Sequence, residues 1–301
     1  MIVVGLLAGT AAAFAVTERL KLESSPISRT KIAQVFSPTC NCDKDRAHLF
    51  FRVARRDHVT LAIVDSRGTP VRTLLNDRPL EGYHRFGWDG RDGDGEIVPE
   101  GNYRLRIQLS DLGRTFLAPA LIQVDTTPPK LVGVRVRPHV FSPDGDQRAD
   151  KVLIRYRLSE PARVFLRTNG TLRVRTKIRS DGGKLYWYGR ALGRSLRTGN
   201  YRLELSARDE AGNKSRAVPA GRVRLRYIQI QGDELDGVTG RRIRAFVSTD
   251  AKSYAWRVGK HSGIARKRVF LIPPLKAGRH RLVVEERGHL DAVPVVVAKR
   301  R

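Results

Sequence analysis

Two stretches of this 301-residue chain, about a hundred positions apart, share both of their ends. The first runs from Gly87-Trp88-Asp89-Gly90-Arg91 to Gly101-Asn102-Tyr103-Arg104-Leu105. The second runs from Tyr186-Trp187-Tyr188-Gly189-Arg190 to Gly199-Asn200-Tyr201-Arg202-Leu203. In the first, an aromatic strand end passes into a dense run of Gly and Asp and then into an alternation that places Tyr103, Leu105 and Ile107 on one face. That pattern predicts a β-hairpin with an elaborate turn. Upstream, Val35-Phe36-Ser37-Pro38 and Val140-Phe141-Ser142-Pro143 match residue for residue at an offset of 105. The two Trp are 99 apart and the two Tyr 98, so the second copy has lost turn residues, which a shared β-scaffold permits. A repeat of this length means tandem domains of about 100 residues, each able to bury its own core.

Between these landmarks, short apolar runs alternate with charged or Gly/Pro turns. In the first copy they are residues 50–53, 59–64 and 71–75; in the second, 152–158, 164–167, 172–178, 185–188 and 201–207. Thr126-Thr127-Pro128-Pro129 marks a boundary, because a Pro pair cannot sit in a paired central strand. From about Gln231 a third set of short strands follows, with Gly278-Arg279-His280-Arg281-Leu282 as a shortened form of the Gly-x-Tyr-x-Leu element. Turn signals recur every 8 to 12 residues and helical periodicity is missing after residue 16, so the predicted class is all-β: sandwiches in series behind an N-terminal hydrophobic helix. The predicted division is a membrane anchor or signal at 1–16, a polar tether at 17–34, sandwiches at 35–129 and 130–227, and a smaller third β-domain at 228–301.

Three sets of residues carry a resemblance: Val140-Phe141-Ser142-Pro143-Asp144-Gly145-Asp146, the Ser159-Glu160-Pro161-Ala162-Arg163-Val164 connection, and the Trp88-Asp89-Gly90-Arg91-Asp92 to Gly101-Asn102-Tyr103 stretch. Together they resemble the immunoglobulin-like domain first named from the flagellar hook-capping protein, FlgD, a module of bacterial surface and secreted proteins. The resemblance covers roughly residues 35–125 and 138–227, and so implies two tandem copies. It speaks to fold more than to function. The chain is short of room for the polar N-terminal segment of a hook cap, so flagellar assembly is not implied. It also departs from the family's pattern: Thr39-Cys40-Asn41-Cys42 stands where an acidic Gly-rich loop is usual, and the second copy lacks the acidic turn.

Residues 2–16 (IVVGLLAGTAAAFAV) are apolar and uncharged. Fifteen residues is short for a spanning helix, which needs about 17 to 25, and Ala13-Phe14-Ala15 offers a cleavage site. The expectation is an uncleaved single-pass anchor with the bulk of the chain outside the cytoplasm; a cleaved signal and a secreted protein is the alternative.

Lys plus Arg number 57 against 30 Asp plus Glu, a net charge of +27. Arg recurs at every second position in Arg135/Arg137, Arg155/Arg157, Arg173/Arg175 and Arg222/Arg224/Arg226, which in strands sets the guanidinium groups on the face opposite the core. One reading is an ordinary solvated sheet face. The other is a basic stripe for anionic envelope polymers or lipid head groups; other envelope proteins are possible partners, while nucleic acid is disfavoured in an exported chain without a nucleic-acid-binding fold. A carbohydrate or wall-polymer module using Trp88, Tyr186, Trp187, Tyr188 or Trp256, and an accessory domain of an exported hydrolase, are the alternatives, although the equivalence of Trp88 and Trp187 in the repeat points to the core.

Catalytic signatures are missing: the 7 His are scattered, no nucleophile elbow or phosphate loop occurs, and Ser28-Arg29-Thr30-Lys31 lies in the tether without its companion motifs. A non-catalytic chain is expected, with no cofactor unless calcium. Asp89, Asp92 and Asp94 alternate with Gly as calcium ligands do, and Asp144, Asp146 and Asp150 form a second such group, yet tight turns select the same residues. Cys40 and Cys42 lack zinc spacing, which leaves a tight local disulfide or a pair of thiols.

Overall fold

The computed structural model describes residues 25–191 and 193–300. Among them every regular element is a strand. The apolar run at 2–16 lies outside the described residues; among those described, no helix is long and apolar enough to cross a membrane. The described residues divide into two compact units, the first running to residue 128 and including 210–214, the second comprising 129–209 and the residues from 215 onward.

The first unit contains β1 (Ile27–Ile32), β2 (Val35–Phe36), β3 (Ala47–Val64), β4 (Pro70–Trp88), β5 (Gly101–Leu109), β6 (Arg114–Leu117) and β7 (Ile122–Val124). Residues 27–32, expected within a polar tether, instead form β1 on the edge of β3, with Ile27 opposite Val53. Their apolar ends, Ile27 and Ile32, pack on the core and offset the polar middle. The separate runs expected at 50–53 and 59–64 are one strand. β3 passes through Arg55 and Arg56 by a bulge between Val53 and Asp57, and Asp57 is buried there with its Oδ1 accepting from the Asp111 N–H (3.0 Å).

The expected hairpin across Gly87–Ile107 is not present. β4 and β5 do not pair with each other; each pairs with β3. Alternation identifies a strand and its buried face, but the neighbour is chosen by the longer, more apolar β3, whose residues 59–64 are mostly buried.

The second unit holds two hydrophobic clusters. Around the first are β8 (Leu131–Arg137), β9 (Val140–Phe141), β10 (Val152–Leu158), β11 (Ala162–Thr168), β12 (Thr171–Arg175), β13 (Gly182–Trp187), the short pair β14 (Arg190–Ala191) and β15 (Arg194–Ser195), β16 (Gly199–Asp209) and β17 (Val218–Leu225). They form a three-stranded sheet, β13-β10-β8, and a five-stranded sheet, β12-β11-β16-β17-β9. Here Pro161, which has no N–H to donate, separates β10 from β11, where β3 of the first unit runs on.

Around the second cluster are β18 (Gln229–Ile230), β19 (Leu235–Val238), β20 (Ile243–Ser248), β21 (Tyr254–Val258), β22 (His261–Ala265), β23 (Val269–Ile272), β24 (Gly278–Glu286) and β25 (His289–Ala298). Their sheets are β18-β20-β23 and β19-β25-β24-β21-β22.

The repeated aromatic residues build the same corner twice. Trp88 is fully buried, 5.6 Å from Phe36 and 5.1 Å from Tyr103 between ring centroids, and its indole N–H donates to the Arg91 carbonyl (2.9 Å). Trp187 lies 5.3 Å from Phe141 and 5.4 Å from Tyr201 and donates to the Arg190 carbonyl (3.3 Å). Tyr103 O–H donates to the carbonyl four residues back, Pro99, and Tyr201 O–H to Arg197, each at 2.7 Å. Gly90 and Gly189 are required where they stand. Both have positive φ (+75° and +62°), and a methyl group on Gly189 would lie 2.7 Å from Leu225 Cδ1. At both corners the Val-Phe strand is parallel to the closing strand, with Phe36 opposite Val124 and Phe141 opposite Leu225.

Candidate functional site

The arginines expected as one stripe are divided between two sheets. Arg135 and Arg137 lie on β8 and Arg155 and Arg157 on β10, all exposed. Arg173 and Arg175 lie on β12, and Arg222 and Arg224 on β17 with Arg226 just beyond, in the other sheet. On the three-stranded sheet the register puts Arg135 opposite Arg155, and Arg155 opposite Lys184 of β13, an unbroken cross-strand row of three cations. Like charges directly opposite one another cost stability, so the row is a local expense of the fold. Lys184 was missed in the sequence because only the pairing register brings it beside Arg155. On the five-stranded sheet Arg222 faces Arg202, but Glu204 and Asn200 border the same cleft and dilute the charge.

The aromatic candidates separate by burial. Trp88 and Trp187 are core residues. Trp256 is half-buried, its ring stacked on Phe270 at 5.2 Å. Tyr186 and Tyr188 border a groove of about 840 Å³ together with Arg137, Leu153 and Lys151, whose ammonium stands 4.6 Å from the Tyr186 ring centroid and 5.7 Å from that of Tyr188.

The two aspartate groups differ in geometry. In the first unit Asp92 Oδ1 accepts from the N–H groups of Asp94 (3.0 Å) and Glu96 (2.9 Å), and Asp89 Oδ1 from that of Arg91 (3.2 Å). Arg72 and Arg91 donate to the carbonyls of Asp92 and Gly95 in the same loop, each at 2.7 Å. These carboxylates fold the loop on itself. In the second unit Asp144, Asp146 and Asp150 each bring one oxygen to within 4.8 Å of the others. Glu286, at the end of β24, lies against Asp144 of this group. Its side chain is 6% exposed, and its carboxyl is pushed up to about 7, first by burial and then by Asp144, which it faces, and by Asp146, against the opposing pull of Arg287. Nothing in the local sequence ties Glu286 to residues so far upstream. Asp250, whose carbonyl accepts from Arg148 Nη1 (2.9 Å), is also raised, chiefly by burial.

Cys40 and Cys42 form a disulfide.

Residues 53–113 match the family model described as FlgD Ig-like domain. The Basal-body rod modification protein FlgD of Salmonella typhimurium is 42% identical over 65 residues, covering 22% of this chain and 28% of the relative. That of Escherichia coli strain K12 is 38% identical over the same shares. The chain thus spans little more than a quarter of the length of the curated relatives it matches.

Among solved structures, a 1.5-MDa bacterial ice-binding adhesin, solved for insight into its host cell surface retention, overlaps 93% of this chain, and the overlap takes in 100% of the solved chain, at 11% identity and TM-score 0.28. The Bacteroides ovatus SGBP-B in complex with mixed-linkage heptasaccharide overlaps 92% of this chain and 69% of its own, at 13% identity and TM-score 0.24. At such scores these overlaps carry no weight for function. The identified part of the chain is residues 53–113, which match the FlgD Ig-like domain family.

Proposed function

We propose that this chain is a non-catalytic structural or adhesion module of a bacterial cell envelope, outside the cytoplasm and tethered to the membrane by residues 2–16. In this reading residues 130–227 form a second Ig-like sandwich of the same type and residues 228–301 a third β-domain. The second sandwich engages anionic envelope polymers or lipid head groups. The observation that carries the binding role is the row Arg135, Arg155 and Lys184, held on one sheet at a cost to the fold. Three cations fixed in line on a rigid sheet meet a repeating anionic polymer or a charged bilayer surface without reorganising, and each contributes on the order of 1 kcal/mol at such a surface.

Binding to vesicles of anionic and of zwitterionic lipid, and to a soluble polyphosphate, tests this. The expected result is binding to the anionic forms that weakens as added salt shortens the Debye length from about 30 Å at 0.01 M to about 8 Å at 0.15 M. Arg155→Glu with Lys184→Glu abolishes it, while Arg222→Glu with Arg224→Glu leaves most of it. Salt-insensitive binding, or equal loss from both pairs of variants, overturns the assignment to this sheet.

One observation favours the carbohydrate alternative, the Tyr186 and Tyr188 groove. Its signature is salt-insensitive binding of a neutral glycan that is lost with Tyr188→Ala.

A further inference from the structure

The acidic loop between β9 and β10 contains more than its own turn. Ser142 Oγ–H and the Asp146 N–H donate to Asp144, the Arg148 N–H donates to Asp146, and the N–H groups of Gly145 and Gln147 donate to the two oxygens of Asp150 at 2.8 and 2.7 Å. These bonds shape the loop and say nothing of a ligand. The independent observation comes from the far end of β24. There Glu286 is buried, its Oε1 lies 3.3 Å from Arg287 Nε, and its Oε2 is buried without any hydrogen-bond donor. The carboxyl group that carries this orphaned oxygen faces Asp144.

Two ionised carboxylates are both acceptors, so they cannot satisfy each other. A buried oxygen left in that state has given up its hydration with no hydrogen bond in return, and the penalty is larger when it is charged. A positive charge between them removes the conflict. The guanidinium groups nearby do not reach this oxygen: Arg287 pairs through Nε with Glu286 Oε1 and donates through Nη1 to the Gly145 carbonyl, and Arg148 Nη1 donates to the carbonyl of Asp250, the last two each at 2.9 Å. What remains is a set of four carboxylates, three of them converging within 4.8 Å and the fourth, facing Asp144, with one of its two oxygens lacking a donor. A set made of oxygen alone, with several carboxylates, suits a hard cation of coordination number 6–8, and so calcium over magnesium or zinc.

We propose that Asp144, Asp146, Asp150 and Glu286 form a calcium site that fastens the β9–β10 loop to the end of β24 and thereby joins the two hydrophobic clusters of the second unit. The site is separate from the cation row and does not depend on the polyanion reading.

The test uses the whole chain, first stripped with chelator and then titrated with calcium or magnesium while thermal unfolding is followed. At ~1 mM calcium, the upper range of extracellular modules, the unfolding of the second unit moves up by roughly 5 °C, and magnesium at the same level moves it less. Terbium provides a direct readout, because the Tyr227 ring lies close enough to feel the Asp144 charge and can sensitise its emission. Asp146→Asn and Glu286→Gln each weaken binding at least about tenfold, whereas Asp92→Asn, in the first unit, leaves it unchanged. Asp146 lies in the loop, so Asp146→Asn keeps the test decisive if Glu286→Gln misfolds. The proposal is overturned if calcium leaves the wild-type transition in place, if Asp146→Asn binds as tightly as wild type, or if Asp92→Asn removes the response. It is likewise overturned if Glu286→Gln raises the melting temperature of a protein indifferent to calcium, which would show that Asp144 and Glu286 share a proton instead.

Discussion

The corner around Trp88 and the corner around Trp187 use the same side chains in the same roles, while the connections that leave them share almost nothing. In both, an indole N–H caps the carbonyl three residues on, a tyrosine O–H closes on the carbonyl four residues back, and a glycine at positive φ lets the chain pass over a phenylalanine. The first corner continues into a loop whose own aspartates fold it. The second continues into the short β14–β15 pair, which holds no aspartate. The residues common to both therefore serve the sandwich, and Asp89, Asp92 and Asp94 serve one loop.

The largest expected effect breaks the shared part. Trp88→Ala and Trp187→Ala each remove a fully enclosed ring and cost about 3–5 kcal/mol; calorimetry should show the first lowering only the transition of the first unit and the second only that of the second. Gly189→Ala and Gly90→Ala combine a left-handed backbone with a methyl group pressed on neighbours, at about 2–3 kcal/mol. Gly189→Ala is the larger, since its methyl would sit 2.7 Å from Leu225 Cδ1 against 3.0 Å from Pro38 Cγ for Gly90→Ala. Tyr103→Phe costs ~1 kcal/mol in denaturant unfolding, and Tyr201→Phe less, because the second hydroxyl is exposed to water.

The comparison is sharpened by what has no counterpart. Asp92→Ala removes an acceptor for two N–H groups and should destabilise the first unit by about 0.5–2 kcal/mol, the range of comparable caps, leaving the second untouched. The smallest effect is electrostatic. Hydrogen bonds from the hydroxyls of Thr126 and Thr127 and from the Thr126 amide hold Glu100 below the usual carboxylate range. A lowered folded pKa means that this stabilisation is present above the unfolded value of about 4.5 and is lost as pH falls through the folded value. The group is largely exposed, so Glu100→Gln should flatten the acid limb of the stability curve by less than about 0.5 kcal/mol.

The shared corner was legible because two similar stretches occur in one sequence: Trp, Gly, Asn and Tyr persisted while aspartates did not. Alternation also marked the buried faces, as at Tyr103, Leu105 and Ile107, all buried. What alternation cannot state is which strand lies alongside. That is why β4 and β5 looked like a hairpin when both lean on β3, and why nine arginines read as a stripe when the register sorts them onto two sheets. Charges inside a strand hide its continuity in the same way, since Arg55 and Arg56 look like a turn and are accommodated by a bulge. The acidic loop was visible at Asp144, Asp146 and Asp150, but Glu286 reaches it only through the fold.

The parallel pairing that closes each sheet system has a mechanical consequence. In the first unit β2 runs alongside β7, in the second β9 alongside β17, and β19 lies alongside β25 over four residue pairs. A pull that draws the earlier strand backwards and the later one forwards slides two parallel strands past each other. Their bonds then share the load and break together, where an antiparallel hairpin would unzip one bond at a time. Under force in this direction each closing pair would act as a clasp.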